Sequence, residues 1–407
     1  MYDASFNPRT LNLFEPRDFD KDRSIRDANV RDRFIEQAHQ LAQDGFTHAN
    51  LNSHSVKGRT VYQTNQWADT LVLRKIDSNI KQITRVRQSN RLDIMRSIRS
   101  LCSEGVPYRV YKLDIERFYE SVDTEDTIAK LQKHVPHTPS TVKLLSTFLS
   151  ACSNTGILGI PRGLSLSSTL SEYLLRDFDR TIRKWDNVFY FSRFVDDMIV
   201  ISRGDEDPHK FLHNVTEKLP SGLNLHPSKT HWFDFAKFDK TKEGIAGTLD
   251  FLGYQICIYH VGNDKQRQVV LDLAPKKIKR TKTRLVLSFR QYLNDRNFKD
   301  LEDRIRLLTG NYSFLDHRDN QFRQAGVFYN YRLINQPSAA LSELDLFLKK
   351  FILSTSGKHC RLLSSFLRKQ EKNALLKYSF DRGYSYRHHF EFKNERLEKL
   401  MRCWKYA

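Results

Sequence analysis

The chain has 407 residues, of which 39% are hydrophobic, and it contains 27 Phe and 17 Tyr. This apolar and aromatic content is enough for about two or three domains with at least one substantial core, and it excludes a largely disordered protein. Lys and Arg number 67 against 48 Asp and Glu, and the formal charge of +19 predicts a polyanionic partner, with nucleic acid favoured over an anionic membrane surface.

The hydropathy pattern and the cysteines argue against two further classes of protein. No run of about 18 apolar residues is present, and the N-terminal segment lacks the charged and then apolar pattern of a signal peptide. The five cysteines lie far apart, without a C-x-x-C pair, and their odd number does not suit a closed disulfide framework. We therefore expect a cytoplasmic protein with no membrane partner and with reduced, structural cysteines.

The first part of the chain carries two predicted helices and one predicted strand. Residues 1–70 are polar and mixed in charge, and they form a predicted N-terminal extension whose helix, VRDRFIEQAHQLAQDG, ends at Gly45. The stretch LVLRKI that follows predicts an apolar strand. A basic segment comes next, and then apolar residues from Leu92 to Leu101 recur at helical spacing and predict an amphipathic helix.

The central part of the chain predicts strands and helices in a mixed order. A strand, YRVYKLD, precedes a helix, TPSTVKLLSTFLSACS, a glycine-containing loop, NTGILGIPRGLSLSS, and a second helix, TLSEYLLRDFDRTIRKW. FYFSRFVDDMIVIS predicts two strands that meet at Asp196 and Asp197, and the helix PHKFLHNVTEKL and further strands follow. This order predicts an α+β fold with helices on one face of a mainly antiparallel sheet.

The composition changes after Pro275, where the pattern becomes basic and helical to the end of the chain. Residues 275–407 contain 29 Lys and Arg against 13 Asp and Glu, so most of the excess positive charge lies there. A solvated surface is the alternative explanation, but solubility alone does not require the charge to be concentrated in one part of the chain.

Three aspartates in the predicted strands and turns are candidates for a metal site. Asp114 ends one predicted strand, and Asp196 and Asp197 occupy the turn between two others. If these strands are neighbours, the three carboxylates meet at one edge of the sheet, where they suit Mg²⁺ with water and substrate phosphates. For the Asp196–Asp197 pair alone, an ordinary solvated hairpin turn is the alternative.

Five motifs in this order resemble those of the reverse transcriptases, over roughly residues 70–260. They are LDIERFYESVD, GIPRGLSLSS, FVDD, GLNLHPSKT and FLGY. The resemblance implies a right-hand polymerase of fingers, palm and thumb, with an antiparallel palm sheet and a helical C-terminal region. It places the fingers and palm in residues 71–275 and the basic thumb and C-terminal region in residues 276–407.

The resemblance also implies catalytic roles for individual residues. Asp114, Asp196 and Asp197 are the implied catalytic carboxylates, and with the backbone carbonyl of Ile115 they are implied ligands of two Mg²⁺ ions, with Mn²⁺ as the alternative ion. Lys229 is implied to protonate the leaving pyrophosphate. A solvated loop lysine is the alternative for Lys229.

Further residues are implied to bind the nucleotide. Tyr119 lies where the family screens the sugar 2′ position, although an ordinary core aromatic is the alternative. Arg162 and Gly163 lie in the loop implied to pass under the incoming nucleotide. Because Arg and Lys clamp phosphoryl groups, four basic residues are candidates to hold the triphosphate, and the sequence does not choose between them: Lys81, Arg85, Arg87 and Arg91.

Arg162 departs from the usual reverse transcriptase motif, and other residues resemble those of one subgroup of the family. Most reverse transcriptases have Gln where this chain has Arg162, and the guanidinium adds a permanent charge and removes an amide acceptor. IPRG, DIERFYESVD and QSNR resemble the bacterial defence-associated reverse transcriptases of the abortive-infection and Drt groups, above all the a subunit of the type-three Drt system. This resemblance implies an RNA-directed DNA polymerase in antiviral defence that uses dNTPs, a DNA primer and a non-coding RNA template.

Other functions stay open at this point. A retron or group II intron reverse transcriptase and template-independent DNA synthesis are alternatives on the same fold. A non-catalytic RNA-binding scaffold is an alternative of another class, and the intact carboxylates argue against it. A partner reverse transcriptase and a homo-oligomer are both open as the assembly.

Overall fold

The computed structural model divides the chain into two compact units that alternate along the sequence. It describes residues 2–15, 28–56, 58–134, 138–237, 243–261, 266–316 and 321–404. The first unit contains residues 1–90 and 107–236, and the second contains residues 91–106, 237–316 and 321–407. Each unit combines helices with antiparallel strands, so the predicted α+β class is confirmed.

The first unit consists of seven helices and six strands within its described residues. The helices are α1 (Pro8–Asn12), α2 (Ala28–Asp44), α3 (Trp67–Thr84), α5 (Thr124–His134), α6 (Pro139–Asn154), α7 (Ser165–Arg183) and α8 (Pro208–Lys218). The strands are β1 (Leu51–Val56), β2 (Arg59–Thr64), β3 (Tyr108–Asp114), β4 (Val188–Phe194), β5 (Asp197–Ser202) and β6 (His231–Phe235). Short 3₁₀ turns occupy Phe118–Ser121 and Pro227–Lys229.

The main sheet of this unit positions the predicted catalytic residues. Its strand order is β4-β5-β3-β6, and each neighbouring pair is antiparallel, as the sequence predicts. The central strands are buried on both faces, since every residue of β3 except Lys112 is buried and only Asp197 in β5 is not. A separate two-stranded hairpin forms from β1 and β2, in the region predicted as an N-terminal extension.

The prediction of a strand at LVLRKI is wrong, because these residues lie within helix α3. Leu71, Val72 and Ile76 are fully buried in the core of the first unit, and Ile80 is 3% exposed. This spacing places apolar side chains on one broad face of a helix, and α3 packs against α2, α6 and α7. A short apolar run does not distinguish a buried strand from a buried helix.

The second unit consists of eight helices and five strands within its described residues. The helices are α4 (Arg91–Cys102), α9 (Pro275–Asp295), α10 (Phe298–Thr309), α11 (Ala339–Leu353), α12 (Lys358–Phe366), α13 (Lys369–Leu376), α14 (Phe380–Ser385) and α15 (Asn394–Met401). The strands are β7 (Gly244–Phe251), β8 (Tyr254–His260), β9 (Gln268–Leu273), β10 (Asn311–Asp316) and β11 (Gln321–Gly326). A 3₁₀ turn occupies Arg402–Trp404.

The strands of the second unit form one sheet and one hairpin. β7, β8 and β9 pair in that order, and FLGY forms the tight connection between β7 and β8. β10 and β11 form an antiparallel hairpin over residues 311–326. The prediction that the chain is helical from Pro275 to its end is therefore wrong in this stretch, where Tyr312, Phe314 and Phe322 favour strands.

The described part of the chain has neither a disulfide nor a membrane-spanning helix. Within those residues, Cys102, Cys152, Cys257 and Cys403 form no disulfide. Burial raises the pKa of the Cys152 thiol to about 12, so this cysteine is unreactive. Across the same residues, no helix combines the length and the apolar character needed to cross a bilayer.

Candidate active site

The three predicted catalytic aspartates lie at one edge of the four-stranded sheet. Asp114 is the last residue of β3 and Asp197 is the first of β5, and the two are direct partners across the antiparallel ladder. Asp196 precedes Asp197 in the turn after β4, and its carbonyl accepts a 3.3 Å hydrogen bond from the Ile115 backbone N–H. Because opposite residues of such a ladder have Cβ atoms about 5 Å apart, this register brings the carboxylates together.

The turn that carries Asp196 has a strained backbone that a buried arginine supports. Val195 has a φ of +62°, a left-handed conformation that β-branched residues rarely adopt. Its carbonyl accepts a 3.1 Å hydrogen bond from Arg193 Nη1, and Arg193 is 2% exposed. The same guanidinium lies 2.8 Å from a carboxylate oxygen of Glu172 and 2.8 Å from one of Asp179. Burial opposes the charge, but these two partners outweigh it and raise the pKa of Arg193.

The carboxylates of the site are crowded and partly desolvated. Burial, followed by the negative charges of Asp196 and Asp114, raises the pKa of Asp197 to about 6. Burial and the charge of Asp114 also raise the pKa of Asp196. Ionising Asp196 and Asp197 together is therefore unfavourable, and a bound divalent ion would relieve their repulsion.

The donor set at this edge fits Mg²⁺. Over the described ranges, no group of three or more His, Cys, Asp or Glu side chains is arranged to hold one ion by itself. Mg²⁺ does not need such an arrangement, because it commonly uses one or two carboxylates and completes its octahedral shell with water and substrate phosphates. Asp196 and Asp197 are both half-buried, so they have less contact with water than the solvated hairpin turn considered for this pair.

Two basic side chains contact the carboxylates. Lys229 Nζ donates a 2.8 Å hydrogen bond to Asp114 Oδ2, and Lys229 lies in the 3₁₀ turn Pro227–Lys229. This turn is anchored to the strand end, since the backbone N–H of His226 donates a 2.7 Å hydrogen bond to the Asp114 carbonyl. Arg59 Nη1, from the β1–β2 hairpin, lies 4.0 Å from Asp196 Oδ2. The predicted Lys229 thus lies next to the carboxylates, and the hairpin adds a cation that the motifs do not contain.

Arg162 and Tyr119 form one arrangement with Glu120. The Arg162 guanidinium lies over the Tyr119 ring, 4.6 Å from its centroid, and it pairs with Glu120 at 3.2 Å. Tyr119 is 8% exposed. The charge that Arg162 adds to the usual motif is therefore balanced by Glu120, and the cation also stacks on the aromatic ring.

The glycines of the GIPRG loop allow close approaches between backbone segments. Gly159 has a φ of +62°, and a Cβ atom there would clash with the Tyr119 carbonyl. Gly163 has a φ of +112°, and a Cβ atom there would lie 2.6 Å from the carbonyl oxygen of Tyr62 in β2. The Tyr62 backbone N–H donates a 2.7 Å hydrogen bond to the Arg162 carbonyl. The loop is thus fixed against the Tyr119 turn on one side and the β1–β2 hairpin on the other.

A polar cavity of about 390 Å³ lies beside these residues. Its basic lining residues are Arg59, Arg117, Arg162 and Lys229. Its acidic lining residues are Glu116 and Glu120. Because the basic residues outnumber these two, the lining has a net positive charge. A phosphorylated ligand fits this charge, because guanidinium and ammonium groups bind phosphoryl oxygens.

The other basic residues predicted to hold the triphosphate lie elsewhere, with Lys81, Arg85 and Arg87 in the first unit and Arg91 in the second unit. Lys81 and Arg85 line a separate cavity, and Lys81 is paired with Asp77 at 2.8 Å. Their role as triphosphate ligands stays a prediction. Arg59 and Arg193 do not belong to any of the five motifs. For Arg193 the sequence does contain a signal, because a charged residue in an otherwise apolar strand, just before FVDD, needs a buried partner.

Comparison with known proteins agrees with this geometry. Residues 64–256, just under half of the chain, match the family model described as reverse transcriptase (RNA-dependent DNA polymerase). No curated protein matches the chain. The match includes Asp114, Asp196 and Asp197, and it implies the right-hand polymerase fold. This match indicates that the enzyme is an RNA-directed DNA polymerase, a nucleotidyltransferase.

Proposed function

We propose that this polymerase makes DNA from dNTPs in antiviral defence against phage, with a non-coding RNA as template. The observation that supports polymerisation at this site is the register of Asp114 with Asp197, next to a cavity with a net positive lining. The role in defence rests on the resemblance of IPRG, DIERFYESVD and QSNR to the defence-associated enzymes.

The carboxylates are proposed to hold two Mg²⁺ ions, with Mn²⁺ as the alternative. Asp114, Asp196 and Asp197 would supply side-chain oxygens and Ile115 its backbone carbonyl. When bound, the ions supply Lewis acidity at the primer hydroxyl and at the triphosphate. Lys229 is proposed to give its Nζ proton to the departing pyrophosphate, and its hydrogen bond to Asp114 orients it at the site.

The nucleotide is proposed to enter the cavity lined by Arg59, Arg162 and Lys229. Tyr119 would exclude a ribose 2′ hydroxyl by contact, and Arg162 stacks on its ring. Gly163 would let the loop backbone pass close to the paired base as well as to β2. Selection of dNTPs over rNTPs would thus depend on an aromatic side chain that Arg162 and Glu120 hold in position.

The partners follow from the same proposal. We propose a template RNA and a DNA primer and product, and a second copy of the chain or a partner reverse transcriptase as the candidate assembly. Residues 71–275 would act as fingers and palm, and residues 276–407 as thumb and C-terminal region. The Lys and Arg residues of that last segment favour contacts to a phosphate backbone.

The experiment that tests this function is sequencing of the DNA product made by the purified full chain. Synthesis is measured with the RNA that copurifies and after that RNA is removed by nuclease. A product complementary to the RNA, and lost with it, supports the proposal. An unchanged product without RNA would establish template-independent synthesis instead, and a branched RNA–DNA product would establish a retron activity.

A further inference from the structure

A second cavity, of about 340 Å³, lies in the unit that contains α9 and shares no lining residue with the cavity beside the aspartates. α9 contributes three basic residues to its wall, namely Lys277, Arg280 and Arg284. Among the described residues that line this cavity, none is an Asp or a Glu. The lining is therefore more strongly positive than that of the active-site cavity.

Two of these arginines are half-buried, and neither has a counter-ion among the described residues. Arg280 and Arg284 lie one helical turn apart on α9, and the Nε atom of each is buried and has no hydrogen-bond partner within the described part of the chain. Burial lowers the pKa of Arg284, and the positive charge of Arg280 lowers it further. Burying a charged donor without a partner is unfavourable, so the pair is arranged for an anion.

The acidic residues on neighbouring elements are engaged elsewhere. Asp272, which precedes the cavity residue Leu273, accepts hydrogen bonds from Ser338 Oγ and the Ala340 backbone N–H. Glu343, on α11, pairs with Lys282. These contacts leave the charges of Arg280 and Arg284 without an ion pair among the described residues.

The rest of the cavity wall combines a fixed cation with apolar and aromatic groups. The Arg91 guanidinium lies over the rings of Tyr254 and Tyr331, at 5.1 and 4.8 Å from their centroids. It also donates hydrogen bonds to the carbonyls of Leu252 and Asn330, at 2.5 and 2.8 Å. Other parts of the wall are apolar or aromatic, from Leu307, Tyr312, Val327 and Phe380.

We propose that this cavity binds a nucleoside phosphate, with the phosphate against Arg280 and Arg284 and the base against the apolar and aromatic wall. The two guanidinium groups supply the donors that a phosphate needs, and the volume falls within the range of small-molecule sites. The ligand is either a free nucleotide or the 5′-phosphorylated end of a nucleic acid. The site is separate from the catalytic carboxylates, so it does not depend on the proposed function.

The test measures binding of AMP to the purified full chain by calorimetry, in EDTA so that metal-dependent nucleotide binding at the carboxylates does not contribute. Adenosine, which has no phosphate, is the comparison ligand. The R280Q/R284Q variant should bind AMP at least tenfold more weakly than the unmodified chain, because each charged hydrogen bond to a phosphate is worth about tenfold in affinity. Adenosine should bind more weakly than AMP, and the substitutions should not change its affinity.

The matched control is K279Q/R290Q, which removes two positive charges from exposed positions of the same helix. This variant should retain AMP binding within about twofold. Without ligand, R280Q/R284Q should be at least as stable to heat as the unmodified chain, because it removes two uncompensated charges. Equal AMP affinity in R280Q/R284Q and the unmodified chain, or an equal loss in both double variants, would overturn the proposal.

A second comparison distinguishes the two sources of the phosphate. Short oligonucleotides with a 5′ phosphate and with a 5′ hydroxyl are titrated into the unmodified chain and into R280Q/R284Q. If the end of a strand is the ligand, the 5′ phosphate should strengthen binding at least tenfold, and only when both arginines are present. If a free nucleotide is the ligand, the two oligonucleotides should bind alike while AMP binding still depends on the arginines.

Discussion

Asp197 illustrates how function and stability oppose each other at a single residue. The pKa of its carboxyl is about 6 in the folded protein against an ordinary value of 3.8, so the folded state binds this proton more tightly. Above pH 6 the ionised carboxylate therefore destabilises the fold, and this cost disappears as the pH falls through 6 towards 3.8. Such a cost in stability is expected of a carboxylate that serves a bound cation, which is the role proposed for Asp197.

The D197N variant should accordingly be more stable and inactive. In EDTA at pH 8, we expect its free energy of unfolding to exceed that of the unmodified chain by about 2 kcal/mol, since two pKa units correspond to nearly 3 kcal/mol and the site is partly solvated. Denaturant titration measures this. D205N, at an exposed position paired with Arg203, is the control and should change stability little. A less stable D197N would contradict the electrostatic argument.

Arg162 and Glu120 should behave as a coupled pair in catalysis. R162Q restores the usual glutamine but leaves the Glu120 carboxylate unpaired beside the nucleotide cavity, so we expect the KM for dNTPs to rise about fivefold. Adding E120Q should recover most of that loss, because the repulsion of the triphosphate is removed. Steady-state kinetics of the two single variants and the double variant measure the coupling, and strictly additive effects would exclude it.

The structure brings together those predicted site residues that a motif places at a strand end. Asp114 ends β3 and Asp197 begins β5, and the two are adjacent because these strands pair in antiparallel register. Lys229 lies in a turn that is anchored to the same end of β3. Arg59 was outside the predicted site, because it reaches Asp196 through a contact between elements distant in the sequence. Local patterns carry no information about such a contact.

At the scale of elements, the GIPRG loop shows why glycine is required at its last position. Gly163 has a φ of +112°, and a Cβ atom there would meet the Tyr62 carbonyl, whereas Gly244 has a φ of +108° and a Cβ atom there would have no neighbour within 4 Å. The two positions have a similar φ and differ in the close approach to neighbouring atoms. Comparing substitutions at Gly163 and Gly244 therefore distinguishes the cost of an unfavourable φ from the cost of a clash between the loop and the β1–β2 hairpin.

Replacing each glycine by alanine gives the corresponding prediction. Both variants should lose about 1 kcal/mol of unfolding free energy through the unfavourable φ. G163A should lose about 1–3 kcal/mol more, since its Cβ must displace the backbone of β2. Thermal and denaturant unfolding measure the difference, and equal losses in G163A and G244A would contradict a role for the close approach.

The elements themselves were predictable where periodicity was long or bounded by turn residues. The helices α4, α6 and α8 and the strands β3, β4 and β5 lie at their predicted places. The run LVLRKI gave the wrong element, since six apolar and basic residues suit a buried helix as well as a strand. The β10–β11 hairpin was missed because the basic residues around it resemble those of the flanking helices.

At the scale of the whole molecule, neither compact unit is one continuous segment of the sequence. α4 packs against β9, and Arg267 Nη1 donates a 3.1 Å hydrogen bond to the Val106 carbonyl, so residues 91–106 belong with residues that come much later. No local change in composition marks residues 91–106 as part of the second unit. The excess of positive charge after Pro275 was predictable, in contrast, because composition needs no knowledge of contacts.

The central claim is that Asp114, Asp196 and Asp197 form the metal-dependent site of DNA synthesis. The most direct measurement is incorporation of labelled dNTPs by the purified full chain, with Mg²⁺ and with EDTA, for the unmodified protein, D196N and the control D205N. We expect synthesis by the unmodified protein and D205N only with Mg²⁺, and a loss of about a thousandfold in folded D196N, as when a group that stabilises transition-state charge is removed. Synthesis by folded D196N within about twofold of the unmodified protein would contradict the claim.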